Sequence, residues 1–302
     1  MVIKSAKNVF WQRDHEIKNI FATEEIIVLP SAEAWKKFKW TKKWFEEKPE
    51  EGYFIWVKKE INFPLATCIA ISSPRTSQNL RNLLVIEKGI KAKIIATCNA
   101  LKNNLCSTHK AKGKLILGEG SFLEYSHLHK WGKKDFVNPD YQFILGENSR
   151  LIYTYENLFP PENLKLKTII HSYKNSHSNL SFIINGVNSK IDLKDILSLE
   201  GKNSQGIVRL RLVGRKNSQI RAKSSILAKA EGKGHLDCQG LLIDKNSKIS
   251  LIPELICQNK KALITHEALI GKIAEEKLNY LRMRGLTEKE AIDLIVSGFL
   301  KT

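Results

Sequence analysis

Gly234-His235-Leu236-Asp237-Cys238 sets a thiol beside a carboxyl and an imidazole in one strand-like run, and His266-Glu267 begins 28 residues after the cysteine. A thiolate, an imidazole and a carboxylate converging from a strand and the following loop form a mixed soft and hard donor set. Such a set suits iron or an iron–sulfur cluster better than structural zinc, which usually takes four Cys or His ligands. The plainer alternative is a buried structural cysteine and an exposed His-Glu pair. A second candidate is His127-Leu128-His129 near Glu124. Strand alternation puts both histidines on one face, about 7 Å apart between Cα atoms at a ~3.3 Å rise. The plainer reading there is a solvated pair on a strand near a turn.

Other engines are absent from the sequence. No Gly-x-x-x-x-Gly-Lys-Ser/Thr loop occurs, and Gly232-Lys233-Gly234 is too short to serve as one, so this chain is not expected to bind a nucleotide itself. There is no Gly-x-Ser-x-Gly elbow. The five cysteines, at 68, 98, 106, 238 and 257, form no Cys-x-x-Cys pair, which argues against a zinc ribbon, a thioredoxin-type pair and a ferredoxin-type run. Their odd number and a reducing compartment argue against a disulfide framework.

The elements that must position these residues are short strands. Tyr53–Val57, Leu65–Ile71, Leu80–Ile86, Lys91–Cys98 and Ile207–Val213 are rich in β-branched and aromatic residues or alternate apolar with polar. Between strands a Gly-x-x-Ser form recurs, at Gly118–Ser121, Gly146–Ser149, Gly186–Ser189 and Gly201–Ser204, with variants ending at Ser218 and Ser247. Gly and Asn tolerate positive φ, and Ser bonds its local backbone, so each is a turn with a mechanism. Repeated strands and turns with almost no helix between them fit a β-solenoid better than βαβ units, with a sandwich as the alternative. Helical signals sit at the ends: Ser31 to Phe38 before Pro49, then Ala274, Leu278 and Leu281 closed by Gly285. A capping box, Thr287-x-x-Glu290, opens a last helix striped with Ala291, Leu294, Ile295 and Phe299.

The 302 residues carry a net charge of +18. The excess lies in residues 1–250, whereas 251–302 holds eight basic and seven acidic groups. Lys outnumbers Arg 39 to 10, and Arg is the usual reader of bases, so a solvated lysine surface is favoured over a nucleic-acid face. No run nears the ~20 apolar residues of a membrane span, and the first residues lack a signal peptide's apolar stretch. The expected compartment is the cytoplasm.

From Gly234 to Leu300 the sequence resembles the C-terminal signature of the SufB/SufD family, scaffolds of the SUF iron–sulfur cluster assembly machinery. The matching pieces are Cys238, Leu241–Asp244, Ile252–Leu255, Thr265–Ala268, Gly271–Ile273, Leu278-x-Tyr280-Leu281-x-x-Arg284-Gly285-Leu286 and Ala291–Phe299. The resemblance implies a mainly β protein, with a right-handed parallel β-helix as its core. The expected organisation is a small α/β N-terminal cap over 1–60, the β-helix over 61–256 and a two-helix subdomain over 257–302.

It also implies roles. Cys238 matches the SufB cysteine that receives sulfur and holds the nascent cluster, Glu267 the carboxylate beside it, and His266 a histidine found in SufB-like and SufD-like members. Cys238 together with His266-Glu267 makes the chain SufB-like, and either His266 or Glu267 could complete the ligand set. Bound iron and neighbouring basic groups would favour the thiolate. The family's second, sulfur-entry cysteine has no aligned position, so Cys68, Cys98 and Cys106 are its candidates. ATP hydrolysis is expected in a separate ABC-type ATPase, SufC, docking on the C-terminal helices through Leu278, Tyr280, Leu281, Arg284, Gly285, Leu294 and Phe299. The expected assembly is a homodimer or a pair with a SufD-like paralogue, with the sulfur donor left open. The alternatives are a SufD-like accessory subunit without its own cluster and a basic nucleic-acid-binding solenoid.

Overall fold

A computed structural model of the chain describes residues 6–301. At the N-terminal end the order is β1 (Lys7–Arg13), β2 (Glu16–Ile20), β3 (Ile26–Pro30), α1 (Ser31–Lys37), α2 (Lys42–Phe45) and β4 (Tyr53–Val57). The body runs β5 (Leu65–Ile71), β6 (Ser77–Ile86), β7 (Lys91–Ala100), β8 (Thr108–Leu117), β9 (Phe122–Lys130), β10 (Phe136–Leu145) and β11 (Arg150–Phe159). It continues through β12 (Asn163–Ser172), β13 (His177–Val187), β14 (Lys190–Leu199), β15 (Ser204–Arg215) and β16 (Gln219–Ala228). Then come β17 (Gly232–Leu242), β18 (Lys248–Cys257), β19 (Leu263–Lys272), α3 (Glu275–Met283) and α4 (Glu288–Lys301).

From β5 onward each strand pairs, in parallel, with the strand two places later, so odd strands build one sheet and even strands the other. This is a parallel β-solenoid of about eight turns. Phe136 lies beside Asn163 and Ser77 beside Thr108, so one coil takes 27 to 31 residues. The strand patterns alternate buried with exposed, as in β11 and β14, because every second side chain enters the lumen between the sheets. The lumen is one continuous core from Val9 and Phe10 to Leu236 and Cys238. It also buries polar side chains, among them His109, His127, His129, Asn157, Asp195 and Ser224.

Some of the turns work as the Gly-x-x-Ser form implies, whereas Gly186 lies within β13 and the Ser204 hydroxyl has no partner among the described residues. Ser121, Ser149 and Ser218 each donate their hydroxyl to the carbonyl three residues back, at 2.7–2.8 Å. Asn148, Asn175 and Asn203 adopt φ of 58°, 56° and 61°. They stack on successive coils with side-chain amide bonds of 3.0 and 3.2 Å. At the N-terminal end, α1 and α2 cover the outside of the even-numbered sheet, where Phe38, Trp40, Phe54 and Trp56 form one aromatic cluster.

At the other end, the 257–302 stretch opens with β19, which pairs with β17, before its two helices. The α3 helix ends on Gly285 at φ +96°. The capping box forms as its residues imply: the Glu290 carboxylate accepts the Thr287 amide at 2.8 Å, and Thr287 Oγ1 accepts the Glu290 amide. Val296 and Leu300 bury against Val213 and Leu241 on the outer face of the odd sheet, and Ala291 is also buried, whereas Leu294 points to solvent. Arg215 pairs with Asp293 at 2.9 Å across that contact. No helix among the described residues is long and apolar enough to cross a membrane.

Candidate functional site

Cys238 sits in the middle of β17, one strand from the end of the odd sheet. Alternation turns its side chain into the lumen, where it is 1% exposed. Across the lumen, β14 and β16 bring Asp195 and Ser224 into register, and the Ser224 hydroxyl donates to Asp195 Oδ1 at 2.6 Å. Asp195 Oδ2 is buried and has no hydrogen-bond partner among the described residues. Burial pushes the Asp195 carboxyl up to about 7, against the Ser224 hydrogen bond. Burial, reinforced by Asp195 and Asp237, pushes the Cys238 thiol up to about 12. The surroundings of Cys238 therefore hold it as a thiol and do not supply the basic groups expected from the sequence. The nearby cation, Arg211, is committed to Asp237 on the outer face by a two-pronged ion pair at 2.6 and 3.0 Å.

His266 and Glu267 lie on β19, a strand where the sequence suggested a loop. Register places His266 beside Leu236, Glu267 beside Asp237 and Ala268 beside Cys238. His266 therefore shares the lumen face with Cys238, whereas Glu267 shares the outer face with Asp237. Both are exposed, because no further coil covers β19 among the described residues. On that outer face His235 Nδ1 meets Thr265 Oγ1 at 2.8 Å, and His235 Nε2 lies 3.9 Å from Glu267 Oε1. Cys238 and His266 thus face the same mouth of the solenoid, with Glu267 turned to its outer rim.

The only group of three or more potential metal-ligating side chains gathered among the described residues is elsewhere in the lumen: Cys98, His127 and His129, with ligand atoms within 4.8 Å of one another. The histidine pair is buried, not solvated, because β9 sends Leu123, Tyr125, His127 and His129 inward. Glu124, on the opposite face, pairs with Lys93 at 2.6 Å and takes no part. Desolvation holds both imidazoles neutral, with His127 lowered to about 3. Of the three sulfur-entry candidates, Cys98 lies in this cluster, Cys68 is half-buried and Cys106 is exposed.

On the C-terminal helices, Tyr280 and Leu294 are 53% and 54% exposed, and Met283 is 80% exposed. A shallow depression between the helices is lined by Tyr280, Leu281 and Ile295. Leu278 and Phe299 are half-buried, and Arg284 lies over the Tyr280 ring at 5.3 Å.

Comparison with known proteins follows the same outline. The family model for the SUF system FeS cluster assembly SufBD core domain matches residues 69–299. An iron-sulfur cluster assembly SufBD family protein of Methanothermobacter thermautotrophicus is 32% identical over 255 residues, which is 82% of this chain and 62% of that protein. One from Archaeoglobus fulgidus is 27% identical over 97% of this chain and 84% of its own length. Iron-sulfur cluster assembly protein SufB of Bacillus subtilis is 23% identical over 83% of this chain and 55% of its own. The chain therefore spans less than two-thirds of the length of the Methanothermobacter and Bacillus relatives. With the core-domain match running through the solenoid and both closing helices, the chain belongs to the SufBD family of iron–sulfur cluster assembly proteins.

Proposed function

We propose that this chain is a scaffold on which iron and sulfide are joined into a nascent cluster at Cys238. The observation that carries this is the thiol of Cys238 at the mouth of a SufBD-family solenoid, with His266 on the same face one strand over. Iron and sulfide are cargo here. Cys238 supplies the thiolate, and His266 or Glu267 completes the ligand set. A thiol held protonated by burial gives up its proton when iron takes its place or when the mouth opens to water. Loading is thereby tied to a movement of the terminal coil.

Two surfaces support the partners. The outer edge of β19 is unpaired among the described residues, and Leu263 and Leu269 beside it are 63% and 64% exposed. An open ten-residue edge with apolar flanks is a template for another chain. A second copy, or a SufD-like paralogue, fits there; a symmetric pair would bring two Cys238 and two His266-Glu267 to one interface. A separate ABC-type ATPase, SufC in this family, docks on α3 and α4 through Tyr280, Leu281 and Leu294. Its hydrolysis cycle opens and closes the mouth, and the setting is the cytoplasm. Cys238 itself favours this reading over an accessory subunit that carries no cluster.

Anaerobic reconstitution with iron and sulfide tests it. Wild type is expected to develop cluster absorption and Cys238→Ala to lose it; equal absorption from a folded Cys238→Ala protein overturns the assignment.

A further inference from the structure

The Cys98 cluster is not used by the function proposed above, and its hydrogen bonding is unresolved in a specific way. Cys98 and His129 are lateral neighbours on β7 and β9, and His127 lies two residues before His129 on the same face. Trp131 Nε1, which can only donate, points at His129 Nδ1 at 3.0 Å. Neutral His129 must then carry its proton on Nε2, which faces His127 Nε2 at 2.8 Å. The Cys98 thiol faces the same His127 Nε2, with its sulfur 3.7 Å away. Two potential donors thus face one lone pair in the lumen, where Cys98, His127 and His129 are each 5% exposed or less. Only one of them can be bonded well.

A divalent ion bound by the three gathered ligand atoms takes the place of both facing protons. Metal–nitrogen bonds of ~2.0–2.1 Å and a metal–sulfur bond of ~2.3 Å, set tetrahedrally, need spacings of about 3.3 Å between nitrogens and about 3.6 Å between sulfur and nitrogen. The observed sulfur–nitrogen spacing of 3.7 Å matches, and the nitrogen–nitrogen spacing of 2.8 Å has to open by about half an ångström on binding. The outer nitrogens already have supports: Tyr153 Oη is 3.5 Å from His127 Nδ1, and Tyr155 Oη is 3.2 Å from His129 Nδ1. Tyr155 Oη can accept the His129 proton once it moves to Nδ1, a bond that orients the ring, and the Trp131 indole N–H, 3.0 Å from that nitrogen, then has to turn away from it.

The geometry points to a second, interior site in which Cys98 Sγ, His127 Nε2 and His129 Nε2 bind one divalent first-row transition-metal ion, with a fourth position left for a small ligand. Binding releases one proton, from Cys98, and the His129 proton shifts within its ring. One thiolate and two imidazoles suit Zn(II), Fe(II) or Co(II) and exclude Mg(II) and Ca(II), which demand oxygen. This site is independent of Cys238 and of the scaffold reading.

Cobalt(II) is the probe, used on the full chain carrying Cys238→Ala so that the other buried thiol cannot contribute. Because the lumen is closed, the ion is supplied both to native protein and during refolding, anaerobically, and excess is removed by gel filtration. The expected result is about one cobalt per chain, with sulfur-to-cobalt charge transfer and tetrahedral visible bands. Cys98→Ser and His129→Gln, added singly, are expected to lower retention at least tenfold. X-ray absorption on the parent adds a reading independent of variant folding and should find one sulfur and two imidazoles around the metal. A shell without sulfur, equal retention by folded Cys98→Ser, or no cobalt held after either loading overturns the site.

Discussion

Arg211 and Asp237 lie back to back with the Cys238 thiol, one face of β17 away from it, and their ion pair is almost wholly buried. Removing one partner strands the other charge. Arg211→Gln is expected to cost about 3–5 kcal/mol in chemical denaturation, and Arg211→Met with Asp237→Leu to recover much of that loss. The inward polar residues were legible to different degrees. Ile191, Leu193, Asp195, Leu197 and Leu199 alternate with Asp192, Lys194, Ile196 and Ser198, so Asp195 occupies a position of the apolar series and signals a buried acid. His127 and His129 continue the inward series of Leu123 and Tyr125 in the same way. What alternation cannot reveal is the neighbour on the next coil. Cys98 stands 31 residues before His129, and only the coil length makes them adjacent.

Among the elements, the turns were the most legible and carry a direct test. Asn175 holds φ 56° and bonds both to Asn148 and to Asn203. Asn175→Ala is expected to destabilise by about 1–2 kcal/mol, since a Cβ without a local hydrogen bond is poorly accommodated there. Asn175→Gly should lose less, and thermal unfolding of the two variants separates these cases. The β1–β2 turn offers a pH test. Burial opposes ionisation of Asp14, but hydrogen bonds from the Ser72 and Ser73 amides and hydroxyls outweigh it and hold the carboxyl at about 2. A depressed acid contributes stability above its unfolded value near 4, lost as pH falls through about 2. Asp14→Asn should therefore cost about 1 kcal/mol at pH 7, allowing for solvent screening, and nearly nothing at pH 2. The β19 strand was not legible as a strand. Thr265-His266-Glu267 shows no alternation because the last coil is wet on both faces.

At the scale of the molecule, a solenoid has two ends, and here they differ. At the N-terminal end the two sheets finish in the antiparallel strands β2 and β3, with the aromatic cluster on the outer face, whereas at the C-terminal end β19 and its lumen face are uncovered among the described residues. Repetition of strands and turns made the solenoid readable, but a repeat says nothing about which end stays open. The net charge of +18 is spread along the coils, and many lysines pair with acids on neighbouring coils, such as Lys88 with Glu119 and Lys223 with Glu254. The exposed apolar side chains of α3 and α4 belong to the proposed ATPase contact. Tyr280→Ala with Leu294→Asp should weaken binding to that partner at least tenfold, while exposed positions leave stability within about 0.5 kcal/mol. Unchanged binding by titration calorimetry contradicts that docking face. The central claim, that cluster assembly belongs to the open end and to Cys238, is tested most directly by Mössbauer spectroscopy of the full chain reconstituted anaerobically with iron-57 and sulfide. Wild type and Cys98→Ser are predicted to show the quadrupole doublet of clustered iron, and Cys238→Ala to show only mononuclear iron. A cluster doublet of undiminished area in folded Cys238→Ala protein contradicts the account.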